Sequence, residues 1–240
     1  MFVTAGSMGE DMQAQQFFDE LQRRISKYDL LCHPFYQAWS AGTLTQEDLR
    51  NYSAQYYHHV AAFPTYLSAF HSRLNDGALR RAVLRNLAEE EIEGPVHSEL
   101  WLDFAEAYGN DRAAVKKQEP NAAIRELIAF FLRSAREAAP AAALAAFYAY
   151  ESQVPRVAEF KEKGLRKFYG AGDKASRYFW LHKTVDLQHS SVWREQLKYT
   201  LAQDPESADE ALRAAEHAAQ ALWKALDAIE GERKSRAAAA

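Results

Sequence analysis

Residues 141–150 read Ala-Ala-Ala-Leu-Ala-Ala-Phe-Tyr-Ala-Tyr, and Glu151 follows at once. A helix that is apolar on every side has no face to offer water, so it belongs at the centre of a larger helical assembly. The run is too short to cross a bilayer and ends on a carboxylate. That carboxylate faces a desolvation cost of roughly several kcal/mol unless something partners its charge. A metal ion would do so, and so would Arg156 nearby. The plainer alternative is a glutamate at the rim of the core that reaches water.

The rest of the chain reads as helix, with no alternating stretch of the kind a strand needs and no internal repeat. Phe17, Leu21 and Ile25 space one helix over residues 11–27, and a short amphipathic segment, residues 33–39, ends at Gly42. Thr45 and Asp48 predict a box-like cap for a helix to about Arg73, kinked at Pro64. The next helix is expected from about residue 75 to Tyr108, with Pro95 inside it. Asn121 caps a helix through Glu137, and Pro140 suits the first position of one that runs to about Tyr169 with Pro155 in its interior. Asp173 opens a helix to about Gln203, and a last one covers residues 207–230. Connections are short, so neighbouring helices should pack antiparallel in one all-α domain over residues 11–231. Residues 1–10 and 232–240 are expected to be frayed tails.

Composition narrows the function classes. Net charge is −4 over 240 residues and no basic face stands out, which argues against a nucleic-acid partner. No apolar segment is long enough for a membrane span, and the start, MFVTAGSMGED, lacks the basic and apolar parts of a signal peptide. Cys32 is the only cysteine, so no internal disulfide forms, which fits a cytoplasmic protein.

Three segments carry candidate metal ligands. His182, Asp186 and His189 are spaced by four and then three residues, which places them on one helical face. Tyr178 and Trp193 extend that stripe at either end, as if to seal it from water. Glu90 and His97 lie seven apart, two turns of an unbroken helix, with Gly94 on the same face leaving room for an ion. Glu151 completes the set. The bland readings are a solvated acidic cluster around residues 89–93 and a core histidine bonded to an aspartate. Against them, three carboxylates and three imidazoles on predicted core helices suit two ions. Two divalent ions would leave a net charge of +1 for an oxide, hydroxide or substrate anion to neutralise. Oxygen and imidazole donors without thiolate favour iron or manganese. The Glu-x-x-His pair of ferritin-like bundles is absent from these residues, so a different bundle is implied. Of the remaining histidines, His58 and His59 are adjacent and face about 100° apart, His71 and His217 lack acidic companions at ligand spacing, and His33 reads as a cap or as a group that supports a ligand.

The segments HPFYQAWSAG, AFPTYLSAFHSR, NLAEEE with VHSELW, YAYESQVPR and the late H-x-x-x-D-x-x-H resemble the CADD-like proteins, within the heme-oxygenase-like, TenA/PqqC-like superfamily. The resemblance runs from about residue 30 to about residue 195. It implies a bundle of seven or eight helices that holds a dinuclear metal site instead of heme, Fe/Fe or Mn/Fe, with O₂ and a reductant as co-substrates. The family's ligands fall on Glu90, His97, Glu151, His182, Asp186 and His189. Its chemistry, formation of p-aminobenzoate for folate from a tyrosine of the protein itself, falls on Tyr36, with Tyr52 and Tyr150 nearby and Lys161 as amino donor. A homodimer is expected. From the residues alone, the tyrosines would pass as core aromatics. Lys161 lies about 15 Å beyond Glu151 along an ideal helix and about 80° off its face, which favours an exposed lysine.

Three other functions compete. An oxygenase of the same fold could act on a separate small molecule, and turnover would reveal it. A TenA-like thiamin-salvage hydrolase would leave the six ligands unexplained. A helical protein-interaction module would fold normally without metal.

Overall fold

The computed structural model describes residues 5–239, with side-chain surroundings from residue 12. Its helices are α1 (Ala5–Ser26), α2 (Pro34–Ala41), α3 (Gln46–Ser72), α4 (Ala78–Glu91), α5 (His97–Ala107), α6 (Arg112–Lys117), α7 (Ala122–Glu137), α8 (Pro140–Glu151), α9 (Val154–Phe168), α10 (Asp173–Gln203) and α11 (Ala208–Ala239). Short 3₁₀ turns precede α2 and α11, and no strand occurs among the described residues. No helix there is long and apolar enough to cross a membrane. The fold is an all-helical bundle.

α8 is the axis of this bundle. Residues 141–147 are all buried, and α8 packs on α11, α10 and α7. Alanines make this possible. α11 presents Ala211, Ala215, Ala218 and Ala219 to the interior, so small residues face small residues and the two helices approach closely. α10 and α9 then close one side of α8, while α3 packs against α7, α5 and α4 on another.

Local signals set several ends as expected. Thr45 and Asp48 form a reciprocal capping box at α3. Asn121 caps α7, and Pro140 stands in the first turn of α8. α3 stays a single helix through Pro64.

Three expectations need correction. The helix expected through residue 108 is two helices. Backbone N–H groups of Ile92 and Glu93 both return to the Ala88 carbonyl, Gly94 adopts φ 105°, and Pro95 offers no N–H. Glu90 and His97 therefore sit on different helices and not two turns apart on one. A Cβ on Gly94 would meet nothing within 4 Å, so this glycine serves its backbone angle and does not clear space for an ion. Second, the chain turns at Ser152 and Gln153, and Pro155 falls in the first turn of a new helix, α9. Third, α11 runs on to Ala239, so the expected frayed tail at 232–239 is helical. Asn51 and Asn121 each donate to Glu232, at 2.7 and 2.8 Å, and Arg236 reaches Asp48 at 3.0 Å. The tail looks frayed by composition, but it is pinned across the N-terminal ends of α3 and α7. Of the other expected tail, residues 1–4 lie outside the described residues.

Candidate active site

Four helices, not three, bring the predicted ligands together. Glu90 ends α4, His97 begins α5, Glu151 ends α8, and α10 contributes His182, Asp186 and His189 from its buried stripe. All six are buried, with Glu151 only 1% and Asp186 only 2% exposed. A cavity of about 10 Å³, room for one water-sized occupant, lies among Glu90, Glu151, His182, Asp186, Tyr150 and Tyr178.

Two sets of donor atoms gather within 4.8 Å of one another: Glu90 with His97 and His182, and Glu90 with Glu151 and His189. Glu90 belongs to both, the position a carboxylate shared by two ions would take. His97 Nδ1 lies 2.8 Å from Glu90 Oε2, and His189 Nδ1 lies 3.4 Å from oxygens of both Glu151 and Asp186. Yet neither ring nitrogen has a well-aligned hydrogen bond. Nitrogens and oxygens thus converge without pairing well, which is the arrangement that donors around a cation adopt. His182 is oriented from behind, since its Nδ1–H donates to the Tyr178 carbonyl at 2.7 Å and leaves Nε2 free.

The electrostatics agree. Burial pushes the Glu151 carboxyl up, and burial with the charges of Glu151 and Glu90 raises Asp186 to about 7. Burial and the neighbouring His97 push His182 well down. Burial opposes a charge on His189, but the neighbouring carboxylates of Asp186 and Glu151 prevail and raise it to about 12. The cluster draws positive charge to itself, and a proton on His189 is the weakest form that charge can take. The residues fit a pair of metal ions.

Three further side chains hold the cluster from outside, and sequence reasoning did not assign them this role. Asn86 Nδ2 donates to Glu151 Oε1 at 3.3 Å, and the Trp193 indole N–H donates to Glu151 Oε2. Glu89 Oε2 lies 2.5 Å from His189 Nε2. Asn86 stands four residues before Glu90, a legible i, i+4 signal. Glu89 was hidden in an acidic run. Arg156, the other partner considered for Glu151, pairs with Asp29 at 3.2 Å.

A second cavity, of about 30 Å³, lies beyond Tyr150 and Tyr178, which line both spaces. Tyr36, Tyr56, Trp101 and Lys161 complete its wall. Lys161 is not exposed, as its helical phase suggested, but 4% exposed. The turn at Ser152 and Gln153 re-aims α9, and Gly164 lets it press against α2. A Cβ at Gly164 would stand 2.6 Å from the Trp39 ring, so only a residue without one permits that approach. The Lys161 amine donates to the Tyr52 hydroxyl, which in turn shares a 3.1 Å hydrogen bond with the Tyr36 hydroxyl. The amine lies 4.5 Å from the centre of the Tyr36 ring. Burial holds Lys161 well below the ordinary lysine value and Tyr36 above the ordinary tyrosine value, so it disfavours the charged form of each. His33 caps α2, accepting from the Phe35 N–H at 3.1 Å through Nδ1, with Nε2 3.1 Å from Asp227. That fixes the helix start that carries Tyr36.

Residues 50–223 match the family model described as "iron-containing redox enzyme". The chain is 41% identical to a protein of Nitrosomonas europaea named 4-aminobenzoate synthase, over 91% of this chain and 92% of that protein. It is 38% identical to a protein of the same name from Chlamydia trachomatis, over 89% of this chain and 91% of that one. Among solved structures, a TenA homolog from Pseudomonas syringae superposes with a TM-score of 0.77 at 16% identity, covering 90% of this chain and 92% of that one, a likeness of fold.

Proposed function

We propose, from the premise that this chain belongs to the iron-containing redox enzymes of heme-oxygenase-like fold, that it forms 4-aminobenzoate, with the ring drawn from its own Tyr36 and the nitrogen from Lys161. The observation that carries this reading is the hydrogen-bonded chain Lys161–Tyr52–Tyr36, closed in a pocket that shares Tyr150 and Tyr178 with the carboxylate–imidazole cluster.

Glu90, His97, Glu151, His182, Asp186 and His189 would hold two transition-metal ions, Fe/Fe or Mn/Fe, which when bound supply the redox capacity for O₂ chemistry. The remaining work falls to the chain's own groups. Tyr178 stacks on His182, with ring centres 3.9 Å apart, and hydrogen-bonds with Tyr150, so an aromatic wall keeps bulk water from both spaces. Tyr36 is held by its backbone and needs no diffusion to reach the site, so its effective concentration there is high. Its phenol keeps its proton until a base takes it. Tyr52 touches both Tyr36 and Lys161 and so holds the phenol and the amine in place against one another. Burial lowers the hold of Lys161 on its proton, which favours the free lone pair that a nitrogen donor requires. The product retains the ring and one carbon of the side chain as its carboxylate. The Cα–Cβ bond of residue 36 must therefore break, with O₂ as the oxidant; a ring C–N bond replaces the phenolic C–O bond, whose oxygen leaves as water, and the Cε–Nζ bond of Lys161 must break to release the nitrogen. Each chain yields one product unless it is repaired.

Protein built with ring-labelled tyrosine tests this. Labelled 4-aminobenzoate should appear at no more than about one equivalent per chain, and the peptide containing residue 36 should change mass in step. Many turnovers with an unaltered Tyr36 would instead favour an oxygenase that acts on a separate substrate.

A further inference from the structure

We infer that Glu89 is a positioning residue for the metal centre: it accepts the Nε2–H of His189 and thereby turns Nδ1 toward the ions. The inference rests on the metal reading given above.

The geometry assigns the two ring nitrogens different tasks. His189 Nε2 lies 2.5 Å from Glu89 Oε2, on the outer side of the cluster. Nδ1 faces inward, 3.4 Å from Glu151 Oε1 and from Asp186 Oδ1, and has no well-aligned partner there. An imidazole held as the Nε2–H tautomer presents its Nδ1 lone pair to the interior. Without an acceptor outside, the ring could instead protonate Nδ1 and bond to Asp186 or Glu151, which would cost the centre a ligand.

Helix α4 makes this division possible. Glu89 and Glu90 are adjacent, so their side chains diverge by about 100° around the helix. Glu90 turns inward to share its carboxylate with both donor sets, while Glu89 reaches past it to the outer edge of His189. The side chain of Glu89 remains 22% exposed, whereas that of His189 is 4% exposed. Glu89 thus anchors the ring at the boundary between solvent and core. His182 is held by the same logic through a different acceptor, the Tyr178 carbonyl. The choice of a carboxylate for His189 adds charge. Glu90, Glu151 and Asp186 carry three negative charges against four from two divalent ions, and Glu89 supplies the fourth.

The test is Mn²⁺ binding to metal-free protein, followed by electron paramagnetic resonance, in Glu89→Ala, Glu89→Gln and Glu91→Ala. Glu91 is an exposed neighbour in the same acidic run, so its removal changes local charge equally without touching His189. Glu89→Ala should weaken Mn²⁺ binding by about 10- to 100-fold at unchanged helicity. Glu89→Gln keeps an acceptor oxygen and should recover most of that loss. Glu91→Ala should bind like the wild type. If Glu89→Ala binds no worse than Glu91→Ala, or Glu89→Gln no better than Glu89→Ala, the positioning role is overturned. His182→Ala separates this from failure of the metal reading: wild-type Mn²⁺ affinity in that variant would overturn both.

Discussion

Two buried spaces share the ring pair Tyr150 and Tyr178, and they treat charge in opposite ways. On one side, Glu90, Glu151, Asp186 and His182 line a space of about 10 Å³, and the carboxylates there hold a proton on adjacent His189 so firmly that it rises to about 12. On the other, a lysine amine sits among aromatic rings with only the Tyr52 hydroxyl to bond, and burial weakens its hold on a proton. The same degree of burial therefore gives one site that demands positive charge and one that expels it. Burial alone does not decide ionisation. The density of oppositely charged partners does. For the chemistry proposed above the division is useful, because a free amine lone pair is favoured on one side of Tyr150 and Tyr178 and cations on the other.

The most damaging way to break this contrast is to strip a ligand from the charged side. Glu90→Ala removes the carboxylate common to both donor sets. Metal affinity should fall more than about 100-fold, beyond the range for a partner outside the ligand shell, and O₂ uptake should cease. Metal analysis and circular dichroism check this, and full O₂ uptake in the variant would refute the assignment.

Tyr36→Phe should spare the charged side and silence the aromatic one. Ring volume is nearly kept, so metal content should match the wild type while 4-aminobenzoate falls to background, measured by chromatography. Wild-type product from this variant would remove Tyr36 as the source.

Lys161→Met sharpens the comparison through stability. Burial holds the folded amine below the ordinary value of 10.5 that the unfolded one keeps. Protons therefore favour the unfolded chain, and stability is lost as pH falls from about 10.5 toward the folded value. Methionine removes that penalty. The variant should gain on the order of 1–3 kcal/mol near pH 7, with the gain shrinking toward about pH 10. It should also lose product and keep metal. Urea unfolding at the two pH values measures the first, and a loss of stability near pH 7 would show that the amine is charged where it sits.

The smallest effect expected is from Gly164→Ala, whose added Cβ would press on the Trp39 ring. A loss of about 1–3 kcal/mol in stability is expected, with reduced product and unchanged metal affinity. A drop in metal affinity would mean that the two spaces are mechanically coupled.

The sequence by itself determined the helical class, the central place of residues 141–151 and the buried polar stripe of α10, because each is a matter of local periodicity that one helix satisfies alone. Capping residues at Thr45, Asn121 and Pro140 were legible for the same reason, since a cap bonds to its own first turn. The motifs also pointed to Tyr36 and Lys161, but only by resemblance, and helical phase argued for the wrong side of the lysine. What only the tertiary structure decided lies where helices break and where distant chains meet. The breaks at residues 92–96 and 152–153 put Glu90 and His97 on separate helices and swing α9 so that Lys161 turns inward. Asn86, Glu89 and Trp193 took their roles from partners 42 to 100 residues away. The helix from residue 232 onward formed because Asn51, Asn121 and Asp48 meet it across the bundle. Periodicity records which face of a helix is dry. Which group stands opposite that face depends on the turn angles between helices, and a few residues in a link set those angles with little trace in the pattern.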